Sequence, residues 1–119
     1  MTTLNANVGS PGTIGSASGG RTYAFTLGTT PIQIVGANPQ RQKITIHNPG
    51  TVDIFVAPLY VISADSDLLL VPSPTALAGC FRVFANGGTF VIDGECQKPY
   101  QAFAASGSNN PLTVVTTSV

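Results

Sequence analysis

Charge is scarce in this sequence. Of its 119 residues, five are Lys or Arg and five are Asp or Glu, 8% in all with no net charge, against about 25% in a typical soluble domain. A surface that tracks phosphates needs a clustered excess of Lys and Arg, so nucleic acid is not an expected partner. Tryptophan is absent and tyrosine occurs three times, which leaves little for an aromatic sugar-binding platform. The first twenty residues, MTTLNANVGSPGTIGSASGG, have no basic start and no continuous apolar run, so a signal peptide is not expected. Nowhere is there the ~20-residue apolar segment that a spanning helix needs, nor an Asn-x-Ser/Thr sequon. The expectation is a chain made in a cytoplasm, with no membrane partner.

Chemistry-bearing side chains are equally sparse. Cys80 and Cys96 are the only cysteines and His47 the only histidine. With no CxxC pair and one distant His, a tetrahedral metal set is not expected. Asp65-Ser-Asp67 resembles the start of a calcium loop but lacks the turn glycine and the later bidentate Glu. Gly9, Gly12 and Gly15 do not fit G-x-G-x-x-G, and no P-loop Lys is present, so no cofactor is expected. Gly15-Ser-Ala-Ser-Gly19 has Ala17 where a nucleophile elbow carries Ser. The five acids lie far apart in sequence, which leaves a paired-carboxylate hydrolase without support. The chain is not expected to be an enzyme.

What remains is a neutral surface of Thr, Ser, Asn, Gln and backbone. Near-zero net charge gives little colloidal repulsion, so such a surface tolerates association. A component of an assembly is expected, and a neutral monomer is compatible with the same composition. Residues 1–20 are Gly, Ser, Thr, Ala and Asn with isolated Leu4, Val8 and Ile14, and read as a flexible arm. The scattered apolar residues favour an arm that meets a neighbour, which makes Leu4, Val8 and Ile14 the candidate partner contacts.

From Arg21 to Val119 short β-like runs alternate with turn residues. RTYAFTL sets Tyr23, Phe25 and Leu27 against Thr22, Ala24 and Thr26. PIQIV, QKITIHN, VDIFVA, CFRVFA, FVID, Tyr100–Ala105 and Leu112–Val119 follow. Turns recur often enough for an all-β fold, a single β-sandwich or jelly-roll-like small barrel over residues 21–119. The expected core includes Phe25, Ile44, Ile46, Ile54, Val56, Val83, Ile92 and Val114. Tyr23 and Tyr100 are expected to pack in it, leaving Tyr60 as the best candidate for an exposed ring.

Two stretches read as hairpins. In KITIHNPGTVDIFVAP, a three-residue loop at Pro49–Thr51 sets Ile46 opposite Ile54 and Ile44 opposite Val56, gathering the β-branched residues on one face. His47 and Asp53 then become cross-strand partners on the outer face, a structural pair and not a site. Around Gly87-Gly88, a two-residue turn pairs Val83 with Ile92 and Arg82 with Asp93. Continued, that register sends Cys80 and Cys96 to opposite faces. Free thiols are therefore expected over a disulfide, although a bulge at Asp93-Gly94 would reverse this.

Residues 37–58, ANPQRQKITIHNPGTVDIFVAP, and residues 87–119, GGTFVIDGECQKPYQAFAASGSNNPLTVVTTSV, together resemble small virion proteins of tailed bacteriophages. The shared pattern is an Asn-Pro-x-Arg lead-in, a strand, an Asn-x-Gly turn and a second strand. A Gly-Gly turn, an Asp-Gly element, an aromatic-Ala strand, a Ser-Gly turn and a closing Thr/Val strand follow. Many such proteins carry an aromatic, often Trp, where this chain has Pro99-Tyr100. The resemblance implies head decoration, or capsid cement. It implies the major capsid protein as partner, a homo-oligomer with a trimer favoured over a dimer, and a place on the capsid surface after assembly in the bacterial host cytoplasm. A tail- or fibre-associated structural protein is the alternative within that class, and a carbohydrate-binding module the alternative outside it.

Overall fold

The computed structural model describes residues 19–119, and every described element is a strand or a turn. Leu4, Val8 and Ile14 lie outside the described residues. The strands are β1 (Gly19–Leu27), β2 (Ile32–Val35), β3 (Arg41–Asn48), β4 (Ile54–Pro58), β5 (Val61–Ile62), β6 (Leu69–Leu70), β7 (Phe81–Val83), β8 (Gly88–Ile92), β9 (Tyr100–Ala104) and β10 (Asn110–Ser118). Strand pairing begins at Gly19, opposite Ser118, two residues before Arg21.

Two four-stranded antiparallel sheets form, in the orders β1-β10-β3-β8 and β2-β9-β4-β7, with a small β5-β6 hairpin beside them. The pairs β1–β10, β2–β9, β3–β8 and β4–β7 are successive rungs of one long ribbon whose tip is β5–β6. Rolling that ribbon brings β10 against β3 and β9 against β4. This is the jelly-roll arrangement of a β-sandwich.

Alternation along each strand decides which face is inside. In β3, Ile44 and Ile46 are fully buried while Lys43 and Thr45 point away. Ile54 and Val56 of β4 face them from the other sheet, joined by Val83, Ile92, Ala102, Ala104, Leu112 and Val114. Each fully buried Ile or Val contributes roughly 1.5–3 kcal/mol. Of the expected core, only Phe25 is half-buried. Tyr23, expected inside, is 40% exposed. It borders an open cleft shared with Ile34, Val35 and Arg41, which leaves part of the ring to solvent.

Neither expected hairpin exists. β3 and β4 lie in different sheets, as do β7 and β8. Ile46 pairs with Phe90 and Val114, and Ile54 pairs with Val83 and Ala104. The four β-branched residues do share one core, but across the sandwich and not across a hairpin. Both short turns are corners at which the chain changes sheets, and they are tied to each other. Asn86 N–H donates to the Gly50 carbonyl at 2.7 Å and Gly87 N–H to the Asn48 carbonyl at 2.8 Å.

Candidate interaction surface

Several polar residues of the 37–58 stretch turn out to be buried ties. Arg41 is 4% exposed. Its Nε donates to the Cys96 carbonyl at 2.6 Å, and its Nη2 to the Gly36 and Lys98 carbonyls at 2.9 and 2.8 Å. One guanidinium thus fastens the β2–β3 and β8–β9 loops. Burial holds its pKa below the usual arginine value. Asn48 is fully buried. Its Nδ2 donates to the Val52 and Val83 carbonyls, and its Oδ1 accepts from Gly50 N–H. The Asn-Pro-Gly turn is therefore an amide-braced corner. Asn110 does similar work at the other turn of the same end, donating to the Leu27 and Ser106 carbonyls.

His47 and Asp53 are not partners. His47 Nδ1 lies 3.2 Å from Thr89 Oγ1 on the neighbouring strand. Asp53 takes Arg82 as an ion pair and accepts from Ala85 N–H at 2.8 Å. The Arg82 hydrogen bond, then the Ala85 one, hold the Asp53 carboxyl below its ordinary 3.8. The pairing failed because it assumed a hairpin where the chain changes sheets.

Cys80 and Cys96 are both free. Cys96 is buried, and its thiol lies 3.2 Å from the Arg41 carbonyl oxygen. Cys80 is half-buried, and burial pushes its thiol pKa up, away from the thiolate that nucleophilic chemistry needs. Both thiols are free as expected, although the Gly87-Gly88 register that suggested it does not exist. Among the described residues, no three His, Cys, Asp or Glu side chains gather into a possible metal group. Asp65 and Asp67 both lie in an exposed turn.

The exposed apolar surface is concentrated at the ribbon tip. Tyr60, Ile62, Leu68, Leu69 and Val71 are all more than half exposed, Val71 at 76%. The tip is nonetheless ordered at its root. Leu59 N–H donates to the Pro99 carbonyl, and Ser63 and Leu68 close the hairpin at 2.8 Å. Val61 is buried against Gly79, whose φ of +81° and lack of Cβ leave room for the Val61 methyl. Tyr60, as expected, presents its ring, beside a hollow of about 290 Å³ shared with Pro58, Leu59, Lys98 and Pro99. Folded proteins leave single apolar residues outside routinely, but a run of this kind marks a contact surface.

Two openings flank the sandwich. Between the edge strands β7 and β8 lies a groove of about 280 Å³ with Phe81, Phe90, Ile92 and Tyr100 in its wall beside Asp93 and Glu95. Phe81 and Phe90 stack across the sheets at 5.2 Å. Between β1 and β2 lies a more polar cleft of about 220 Å³ lined by Arg21, Tyr23, Val35, Asn38, Arg41 and Ser118, among others. Sequence reasoning reached Tyr60 but missed the tip as a unit. The signal was present: LYVIS and LLLV flank two acids in a stretch that lacks any neighbouring run to cover it.

No protein-family model matches the chain, and no curated protein matches it. Among solved structures, a protein of the Bacillus endospore appendages, described as a novel family of disulfide-linked pili, aligns over 87% of each chain. The TM-score is 0.46 and the identity 8%. A likeness of that size carries nothing about function.

Proposed function

We propose that this chain is a structural virion protein that decorates a bacteriophage capsid, sits on its surface, and clamps neighbouring major capsid subunits. One observation carries the reading. A jelly roll projects an ordered hairpin with exposed apolar flanks, while buried polar groups such as Arg41 and Asn48 hold the fold. Jelly rolls serve viral capsids, lectins and cupins alike, so the fold by itself does not choose among them. The resemblance of residues 37–58 and 87–119 to small virion proteins supplies the choice. Attachment then rests on apolar and backbone contacts, each small, multiplied by the symmetry of the shell.

A second reading has Tyr60 in its favour. An exposed ring beside Pro58, Leu59 and Pro99 is the kind of platform on which a sugar ring stacks. Both readings are separated by binding to undecorated capsids and to a glycan array. Decoration predicts saturable binding to capsids that Leu69→Ser with Val71→Ser abolishes, and no glycan binding. Absence of capsid binding by the unaltered protein would refute it, and glycan binding lost on Tyr60→Ala would favour the second reading.

A further inference from the structure

The charges of this chain do not cancel evenly in space. Among the described residues, Asp53 pairs with Arg82 and Glu95 with Lys98. Of the other six, Asp65 and Asp67 share the exposed turn of the tip hairpin, Arg21 and Arg41 both line the β1–β2 cleft, and Lys43 and Asp93 are exposed elsewhere. None of the residues lining that cleft is Asp or Glu.

Arg41 makes the cleft more than a basic patch. Its side chain is buried, and its Nε and Nη2 are spent on three carbonyls. Its Nη1 has no hydrogen-bond partner among the described residues. A guanidinium carries five N–H donors in a fixed fork, and buried donors are normally satisfied. A buried cation with spare donors, beside the exposed Arg21, with no acid in the wall, calls for a carboxylate from outside. Arg–carboxylate contacts of this kind are charge-assisted and directional. The phenol of Tyr23 and the Ser118 hydroxyl add polar groups, and the Tyr23 ring adds an apolar flank.

We propose that the cleft receives the Ser63–Asp67 turn of a second copy of this chain, with Asp65 and Asp67 facing Arg21 and Arg41. Charge complementarity selects that occupant, since the hairpin carries two acids with apolar flanks in Ile62 and Leu68. The hairpin of the same chain does not fill the cleft, for it contributes no lining residue. Topology makes the exchange feasible. The hairpin leaves β4 at Pro58, Pro58 pairs with Tyr100, and Tyr100 pairs with Val35 in the cleft wall. Hairpin root and cleft thus share one end of the sandwich, two strand spacings or ~10 Å apart. Two copies meeting end to end can each fill the other's cleft, and a closed ring satisfies the same contacts.

Sedimentation velocity of the full chain over a concentration series tests this without any capsid. The unaltered protein should form a discrete oligomer. Arg21→Glu should weaken it on the order of tenfold or more, as should Asp65→Lys with Asp67→Asn. Asn is chosen at position 67 because that residue has φ +56°, which Asn tolerates. Combining Arg21→Glu with Asp65→Lys should recover part of the loss, and thermal melts should show all variants folded. A protein that stays monomeric throughout would overturn the proposal. So would an oligomer indifferent to either variant, or one sensitive to the hairpin changes alone. Capsid binding that persists in a monomeric protein would sink this inference and leave decoration standing.

Discussion

Arg41 has its charge buried and its donors on backbone carbonyls contributed by loops 5, 55 and 57 residues away in sequence. Replacing it with Met should leave those carbonyls unpaired and cost about 3 kcal/mol or more. Urea denaturation would read this as a lower midpoint at unchanged slope. Asp53 gives a pH signature. Its carboxyl is held below 3.8 in the folded chain by Arg82 first and by Ala85 N–H second. A depressed folded pKa adds stability that is present above the unfolded pKa and lost as pH falls through the folded one. Asp53→Asn should therefore lower the melting temperature at neutral pH and flatten its fall below about pH 4. An acid limb unchanged in the variant would contradict the pairing. The sequence marks Arg41 only as part of an Asn-Pro-x-Arg lead-in and puts Asp53 beside His47. Neither role was legible, because the partners are Cys96, Lys98 and Arg82, brought near only by the rolled ribbon.

At the scale of elements, strand positions were readable and strand partners were not. The alternation in RQKITIHN and the run IFVAP locate β3 and β4 and identify their inner residues correctly. The Pro-Gly and Gly-Gly turns between runs look like hairpin loops, yet a corner between sheets draws on the same residues. What distinguishes the corner is the buried Asn48 amide and the tie from Asn86 to Gly50, which have no local signature. The two glycines of the second corner serve different ends. Gly87 has φ +100° with open space around it, whereas a Cβ on Gly88 would collide with the Phe84 backbone. Gly87→Ala should cost about 1–2 kcal/mol, the price of a left-handed residue. Gly88→Ala should cost more, because backbone has to move, and a melt series of the two variants would show that order. The tip hairpin is the opposite case. Leu68→Ser and Leu69→Ser remove exposed side chains, so each should change stability by no more than about 0.5 kcal/mol. A large loss of stability there would mean that the tip is part of the core.

Taken whole, the molecule is one ribbon closed by its last strand. β10 lies between β1 and β3, and its inner residues Leu112 and Val114 are buried. Removing residues 110–119 should therefore abolish folding, and the far-UV circular dichroism of that truncation should lack a cooperative melt. Pairing the first described strand with the last also puts folding in the slow range of all-β proteins, milliseconds to seconds. The all-β sandwich was legible because turn frequency and alternation survive in any order of strands. A jelly-roll-like form was among the expectations, but its strand order was not legible, since it depends on contacts nearly a hundred residues apart. The proposed role rests on the match between a tip with exposed apolar flanks and a shell built from many copies. Under that proposal the most direct test is the number of copies of this chain in purified phage particles, counted by quantitative mass spectrometry against the major capsid protein. Hundreds of copies per particle are predicted, in a fixed small ratio to the capsid subunit. A few to a few dozen copies would move the protein to the tail, and its absence from washed particles would contradict the account.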